Sequence, residues 1–271
     1  MARELRTRDG RIDETGLRRS VRWRDLGTLN AREVASELLL PLPWVAVSLG
    51  AASMQWYVLA LPCSFMFFLT GLRQVHGAFH YSIGLPRRAT ELVMAALSAM
   101  MLGSMHAVQI NHLRHHAHCM TEDDVEAMSA KMPAWKAFLV GPAFPIRLHT
   151  AAMATATPRQ LRWILLELFL TTIVVAGAWL SEVGWFRYHV VAMMIGQCMT
   201  SFFAVWTVHH DCDADGIFAR TIRGRLKAWA TYDMFFHLEH HLFPAVPTCR
   251  LPELARRLDE VDPELSRKRV F

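Results

Sequence analysis

Apolar residues in this chain form long runs, set apart by short clusters of histidine. From Leu38 to Leu72 there is no charged residue, and a single membrane-crossing helix needs only about 20 positions. The run therefore predicts two helices joined near Ala51 to Gln55, with Pro41, Pro43 and Pro62 accommodated where neighbouring helices satisfy the backbone. Trp163 to Leu180 and Val190 to Val208 predict a second pair, joined by the polar stretch Ser181 to His189. The expected fold is an all-α integral membrane protein with four transmembrane helices in two hairpins.

A fifth apolar stretch, Leu92 to Ile110, is long enough to cross. It lies between histidine clusters that a full crossing would place on opposite faces of the bilayer. It is read as a re-entrant or interfacial helix, or as two half-helices broken at Gly103, and Trp135 to Thr157 as a second membrane-surface segment.

The histidines fall into four groups: His76 and His80; His112, His115 and His116; His209 and His210; His237, His240 and His241. HxxxH and HxxHH place imidazoles at i, i+4 and at i, i+3, i+4, on one side of a helix. Together they offer more nitrogens than one tetrahedral or octahedral ion accepts, so two ions are expected. HExxH is absent, and an inverted HxxEH fails because Phe236 stands where its first histidine belongs. Glu-x-x-His pairs of the soluble di-iron bundles do not accompany these groups. His106, His118, His149 and His189 break the spacing and are read as surface or hydrogen-bonding residues. Of Asp123, Asp124, Glu126, Asp211, Asp213 and Asp233, at most two are expected to orient ligand imidazoles. Glu239, inside the last HxxHH, points off the ligand face.

Composition supports the membrane reading, with 53% apolar residues and a mean hydropathy of +0.19 over 271 residues. With four spans, all of the 29 Lys and Arg except Arg187 fall on one side. Short flanking segments carrying Arg32, Arg73, Arg159 and Arg162 mark that side as cytoplasmic, and the histidine face with it. Residues 1–37 are read as a basic cytosolic tail, solvated and partly disordered at its start, with no signal peptide and no nucleic-acid role. Residues 38–258 form the membrane domain and 259–271 a C-terminal tail. The pI of 9.2 suits an acidic partner protein. Cys63, Cys119, Cys198, Cys212 and Cys249 form no CxxC pair, which suggests reduced thiols.

His76-Gly-Ala-Phe-His80, His112-Leu-Arg-His115-His116 and, most specifically, His237-Leu-Glu-His240-His241-Leu-Phe-Pro-Ala-Val-Pro247 resemble the three histidine boxes of membrane fatty acid desaturases, over roughly Leu38 to Leu258. Gly77 stands where many members of that family carry an acidic residue. The resemblance implies four transmembrane helices under a cytosolic helical cap and two non-haem iron ions. Its chemistry is oxygen-dependent desaturation of a membrane lipid or acyl chain. It also implies a ninth ligand at His209 or His210. No cytochrome b5 module is present, so electrons are expected from an external ferredoxin, rubredoxin or cytochrome b5-type donor and its reductase. Similar boxes occur in hydroxylases and ketolases of lipids, alkanes and carotenoids, and a non-enzymatic membrane metal-binding protein is the reading of another class. Oligomeric state is left open.

Overall fold

A capping box opens the first long helix: Asn30 accepts from the Glu33 N–H, while Glu33 reaches back to the Asn30 N–H at 2.9 Å. In this computed structural model, which describes Thr7 and residues 12–212 and 216–270, α1 is Glu14–Ser20, α2 Ala31–Leu39 and α3 Leu42–Ser53. Pro41 and Pro43 fall at the start of α3, where a missing N–H costs nothing. Helix α2 runs into α3 as one apolar stretch, Ala31–Ser53. After a tight turn, α4 runs Tyr57–Phe79 and ends at the first box. These two helices are the first hairpin expected from the sequence.

The stretch expected to be re-entrant or broken is two helices, α5 (Arg87–Met101) and α6 (Met105–His118), bent by 112°. Leu102 takes a left-handed conformation (φ 60°) and ends α5, and Ser104 caps α6 by accepting from the Ala107 N–H. Short helices α7 (Ala134–Leu139) and α8 (Ala143–Thr155) occupy the segment expected at the membrane surface. Gly141 between them is obligatory: a Cβ there would lie 1.9 Å from the Cys198 carbonyl oxygen.

The second hairpin is α9 (Pro158–Leu180) and α10 (Gly184–Thr200), which continues through a π-helical turn (Ser201–Trp206) into α11 (Thr207–His209). The sequence placed their joint at Ser181 to His189, but α10 already begins at Gly184, so the turn is shorter than its polar composition implies. The four long apolar helices meet the requirements of membrane spans, and α9 turns Leu165, Phe169, Ile173 and Leu180 outward without protein cover. Such a surface suits a lipid surround. Among the described residues there is no strand.

Beyond the spans, α12 (Arg225–Ala230), α13 (His237–Leu242) and α14 (Leu251–Val261) share one apolar core. Ile12, Leu17, Val21 and Leu26 pack into that core against Leu238, Leu242 and Phe243. Residues 12–26, part of the tail expected to be solvated, therefore pack against the third histidine box. At the other end, Leu265 is buried in the same core, and the Val270 N–H donates to the Thr221 carbonyl. Arg73 is not a free orientation charge either. It is buried, forms a two-pronged ion pair with Glu37, and donates through Nε to the Tyr232 carbonyl at 2.6 Å. That link ties the first hairpin to the loop leading into α13.

Candidate metal centre

The end of α4 contributes His76 and His80, α6 contributes His112, His115 and His116, α11 contributes His209, and α13 contributes His237, His240 and His241. The structure gathers these nine into two groups. In the first, His112 Nε2 lies 3.1 Å from both His80 Nε2 and His116 Nε2, and His116 Nε2 lies 3.1 Å from His240 Nε2. His76 completes it, its ring centroid 3.9 Å from that of His240. In the second, His209 Nε2 lies 3.1 Å from His115 Nε2 and 2.9 Å from His237 Nε2. His241 Nε2 lies 3.1 Å from His237 Nε2 and 3.3 Å from His115 Nε2.

Each HxxHH box is thus divided between the groups. Positions i and i+4 of a helix are about 40° apart in azimuth, whereas i+3 falls about 60° to the other side of i. On α6 the pair His112 and His116 serves the first group and His115 the second. On α13 the roles reverse, with His237 and His241 in the second group and His240 in the first. A box does not aim all three rings at one point; it bridges two.

Carboxylates and a carbonyl set the tautomers. His115 Nδ1 donates to Asp124 at 2.7 Å, His112 Nδ1 pairs with Glu126 at 2.9 Å, and His209 Nδ1 donates to the Phe218 carbonyl at 2.8 Å. Asp124 also accepts from the N–H groups of Met120 and Ala127. Burial works to raise its carboxyl, yet the hydrogen bonds of His115, Ala127 and Met120 hold it below the usual range. Burial pushes the Glu126 carboxyl up to about 7. His237, His240 and His241 are held well below the ordinary histidine value, first by burial and then by neighbouring imidazoles, so they stay neutral with lone pairs available.

His210 lies outside both groups. Its ring stacks on Trp206 at 3.9 Å, and its Nδ1 donates to the Trp206 carbonyl at 2.8 Å. The π-helical turn explains why sequence left the choice open: i→i+5 bonding adds a residue to a turn and shifts the phase of everything after it. Of the six acidic candidates, Asp124 and Glu126 touch ligand rings; Asp211 pairs with Arg220, and Asp213 lies outside the described residues. Burial raises the Asp233 carboxyl to about 6, against the charge of Arg73. Glu239 is buried against Thr221 and Arg223, off the ligand face. His106 bonds Glu167, His189 bonds the Met100 carbonyl, and His118 is exposed. His149 accepts from the Ser104 N–H and lines the cavity beside the cluster.

That cavity is walled mainly by Leu72, Val75, Phe79, Val108, Phe144, Leu148, Val205 and Val208, and it touches His76, His112 and His237. One residue near the second group was missed. Cys119, four positions after His115, places its Sγ 4.0 Å from His115 Nε2, and its i+4 spacing was the available signal.

Fold and site together define a multi-pass helical membrane protein with histidine clusters able to hold metal. The chain belongs to the fatty acid desaturase family, whose family model matches residues 29–270, and membership makes it an oxidoreductase. No curated protein sequence matches it significantly.

Proposed function

We propose that the protein is an oxygen-dependent desaturase that introduces a double bond into a fatty acyl chain, using two iron ions held by the two histidine groups. The observation that carries this reading is the contact between His115 and His209. His115 Nδ1 is engaged by Asp124 and His209 Nδ1 by the Phe218 carbonyl, which leaves the two Nε2 atoms facing each other at 3.1 Å. Two neutral rings so placed present both lone pairs to one point, where a shared cation makes the contact attractive. Nitrogens about 2.1 Å from one ion lie ~3.0 Å apart at a right angle and ~3.4 Å at a tetrahedral angle, and the spacings across both groups match.

His76, His80, His112, His116 and His240 would hold one ion, and His115, His209, His237 and His241 the other. When bound, two iron ions supply the redox capacity to turn oxygen against an unactivated C–H bond. Asp124, Glu126 and the Phe218 carbonyl hold rings in the tautomer that presents Nε2. The apolar walls exclude water and align a chain beneath His76, His112 and His237. Those walls follow the fourth span from Gln197 to Val208, about 16 Å at 1.5 Å per residue. Per double bond, –CH2–CH2– with O2, two electrons and two protons gives –CH=CH– and two waters.

The electrons come from a ferredoxin, rubredoxin or cytochrome b5-type carrier and its reductase. We place the protein in a bacterial inner membrane with both termini and the histidine face cytoplasmic, since that side carries the basic flanking segments.

Membranes bearing the protein, supplied with ferredoxin, its reductase and NADPH, should form an unsaturated lipid only in oxygen, with slower turnover when the attacked carbon carries deuterium. Product under strict anaerobiosis would refute the reading, and a hydroxylated or ketolated product would reassign the reaction on the same site.

A further inference from the structure

Five imidazoles converge on the first point and four on the second. What the second point has instead is a sulfur. Cys119 ends α6 one turn beyond His115, on the line of the helix that faces His209 and His241. Its Sγ and the ligand nitrogens of His115, His209 and His241 all lie within 4.8 Å of one another.

We propose that Cys119 is a thiolate ligand of the ion held by His115, His209, His237 and His241, giving that ion four nitrogens and one sulfur beside an all-nitrogen partner. The proposal rests on the dimetal reading above. A sulfur about 2.3 Å and a nitrogen about 2.1 Å from a common ion are between ~3.1 Å apart at a right angle and ~4.4 Å when opposite. The 4.0 Å from Cys119 Sγ to His115 Nε2 falls inside that interval. As a hydrogen bond the same separation is at the outer limit for sulfur and would hold nothing in place.

Packing alone does not account for the side chain's direction. Cys119 sits beside a small apolar cluster of Met120, Ala127, Ala130 and Cys212, yet its sulfur is within reach of three imidazoles. On binding, the S–H bond breaks, the proton leaves to solvent and a sulfur–metal bond forms, with no change in electron count. Thiolate is a softer donor than imidazole, so the two ions become chemically distinct even though both lie among histidines.

The test uses the full-length protein in detergent, loaded with Co(II). Expected are two cobalt ions per chain, a near-ultraviolet sulfur-to-cobalt charge-transfer band, and alkylation of Cys119 by maleimide slowed at least tenfold by the metal. The band should vanish in Cys119→Ser and survive in Cys212→Ser. If Cys119→Ser does not fold, the wild-type band and the metal protection of Cys119 decide the matter. Two cobalt ions with no such band, or a band that persists in Cys119→Ser, would overturn the sulfur ligand and leave the dimetal reading standing. Failure to take up cobalt at all would overturn both.

Discussion

Glu167, inside the third membrane span, holds His106 across the helix break. One carboxylate oxygen meets His106 Nδ1 at 2.6 Å, and the other accepts from Ser104 Oγ at 2.6 Å and from the His106 N–H at 3.1 Å. Both side chains are buried, and His106 stacks on Trp163 with centroids 4.8 Å apart. A carboxylate at the N-terminus of α6 also suits the helix dipole. Because α6 carries His112, His115 and His116, this contact sets the direction in which the second box points. Glu167→Leu strands these buried donors and should cost about 3 kcal/mol, while Glu167→Gln keeps the shape and should cost less. Thermal unfolding of the purified proteins checks the order; equal stability of Leu and wild type would refute it.

Gly141→Ala should damage the fold at the α7–α8 turn. Its new Cβ would meet the Cys198 backbone oxygen at 1.9 Å, and neither backbone can yield without separating the α7–α8 turn from the fourth span. A loss above about 2 kcal/mol is expected, seen as lower yield of folded protein and a lower Tm.

His209→Ala and His210→Ala should behave oppositely. The first removes a ring facing His115 and His237 and should lower metal content per chain by about half or more. The second removes a ring stacked on Trp206 and should leave metal content unchanged. Elemental analysis of both variants decides between the neighbours.

Acid should destabilise the metal-free protein earlier than carboxylate titration would. Burial holds His237, His240 and His241 well below 6.5 in the folded state. Below pH 6.5 the unfolded chain therefore binds protons that the folded chain refuses, and stability falls with pH by up to about 1.4 kcal/mol per unit for each ring. Above pH 6.5 both states are neutral and this contribution is flat. Denaturant melts at several pH values should show the decline beginning near pH 6.5; a flat profile down to about pH 4 would contradict it.

Single cysteines in a cysteine-free background test the orientation. Ser53 and Ser181 are exposed at one end of the two hairpins, and Glu122 is exposed beside the metal centre. Ser53→Cys and Ser181→Cys should label from outside an intact cell, and Glu122→Cys should not.

Hydropathy alone determined the four spans and their pairing, because a bilayer admits only apolar helices of a certain length, and those runs carry that length in their composition. Histidine spacing likewise determined which residues of each box share a helix side, since i, i+3 and i+4 do so whatever the rest of the chain does. What depended on phase and long-range contact was decided only by the folded chain. The π-helical turn before His209 chose it over His210. The left-handed Leu102 and the Glu167 clamp set the 112° bend that aims the second box. The division of each box between two points appeared once α6 and α13 faced each other, because azimuth on one helix says nothing about where another lies. The basic start of the chain read as solvated because its apolar residues, Ile12, Leu17, Val21 and Leu26, are sparse. They are buried all the same, because the third box and α14 present an apolar surface to cover, and that surface exists only after folding.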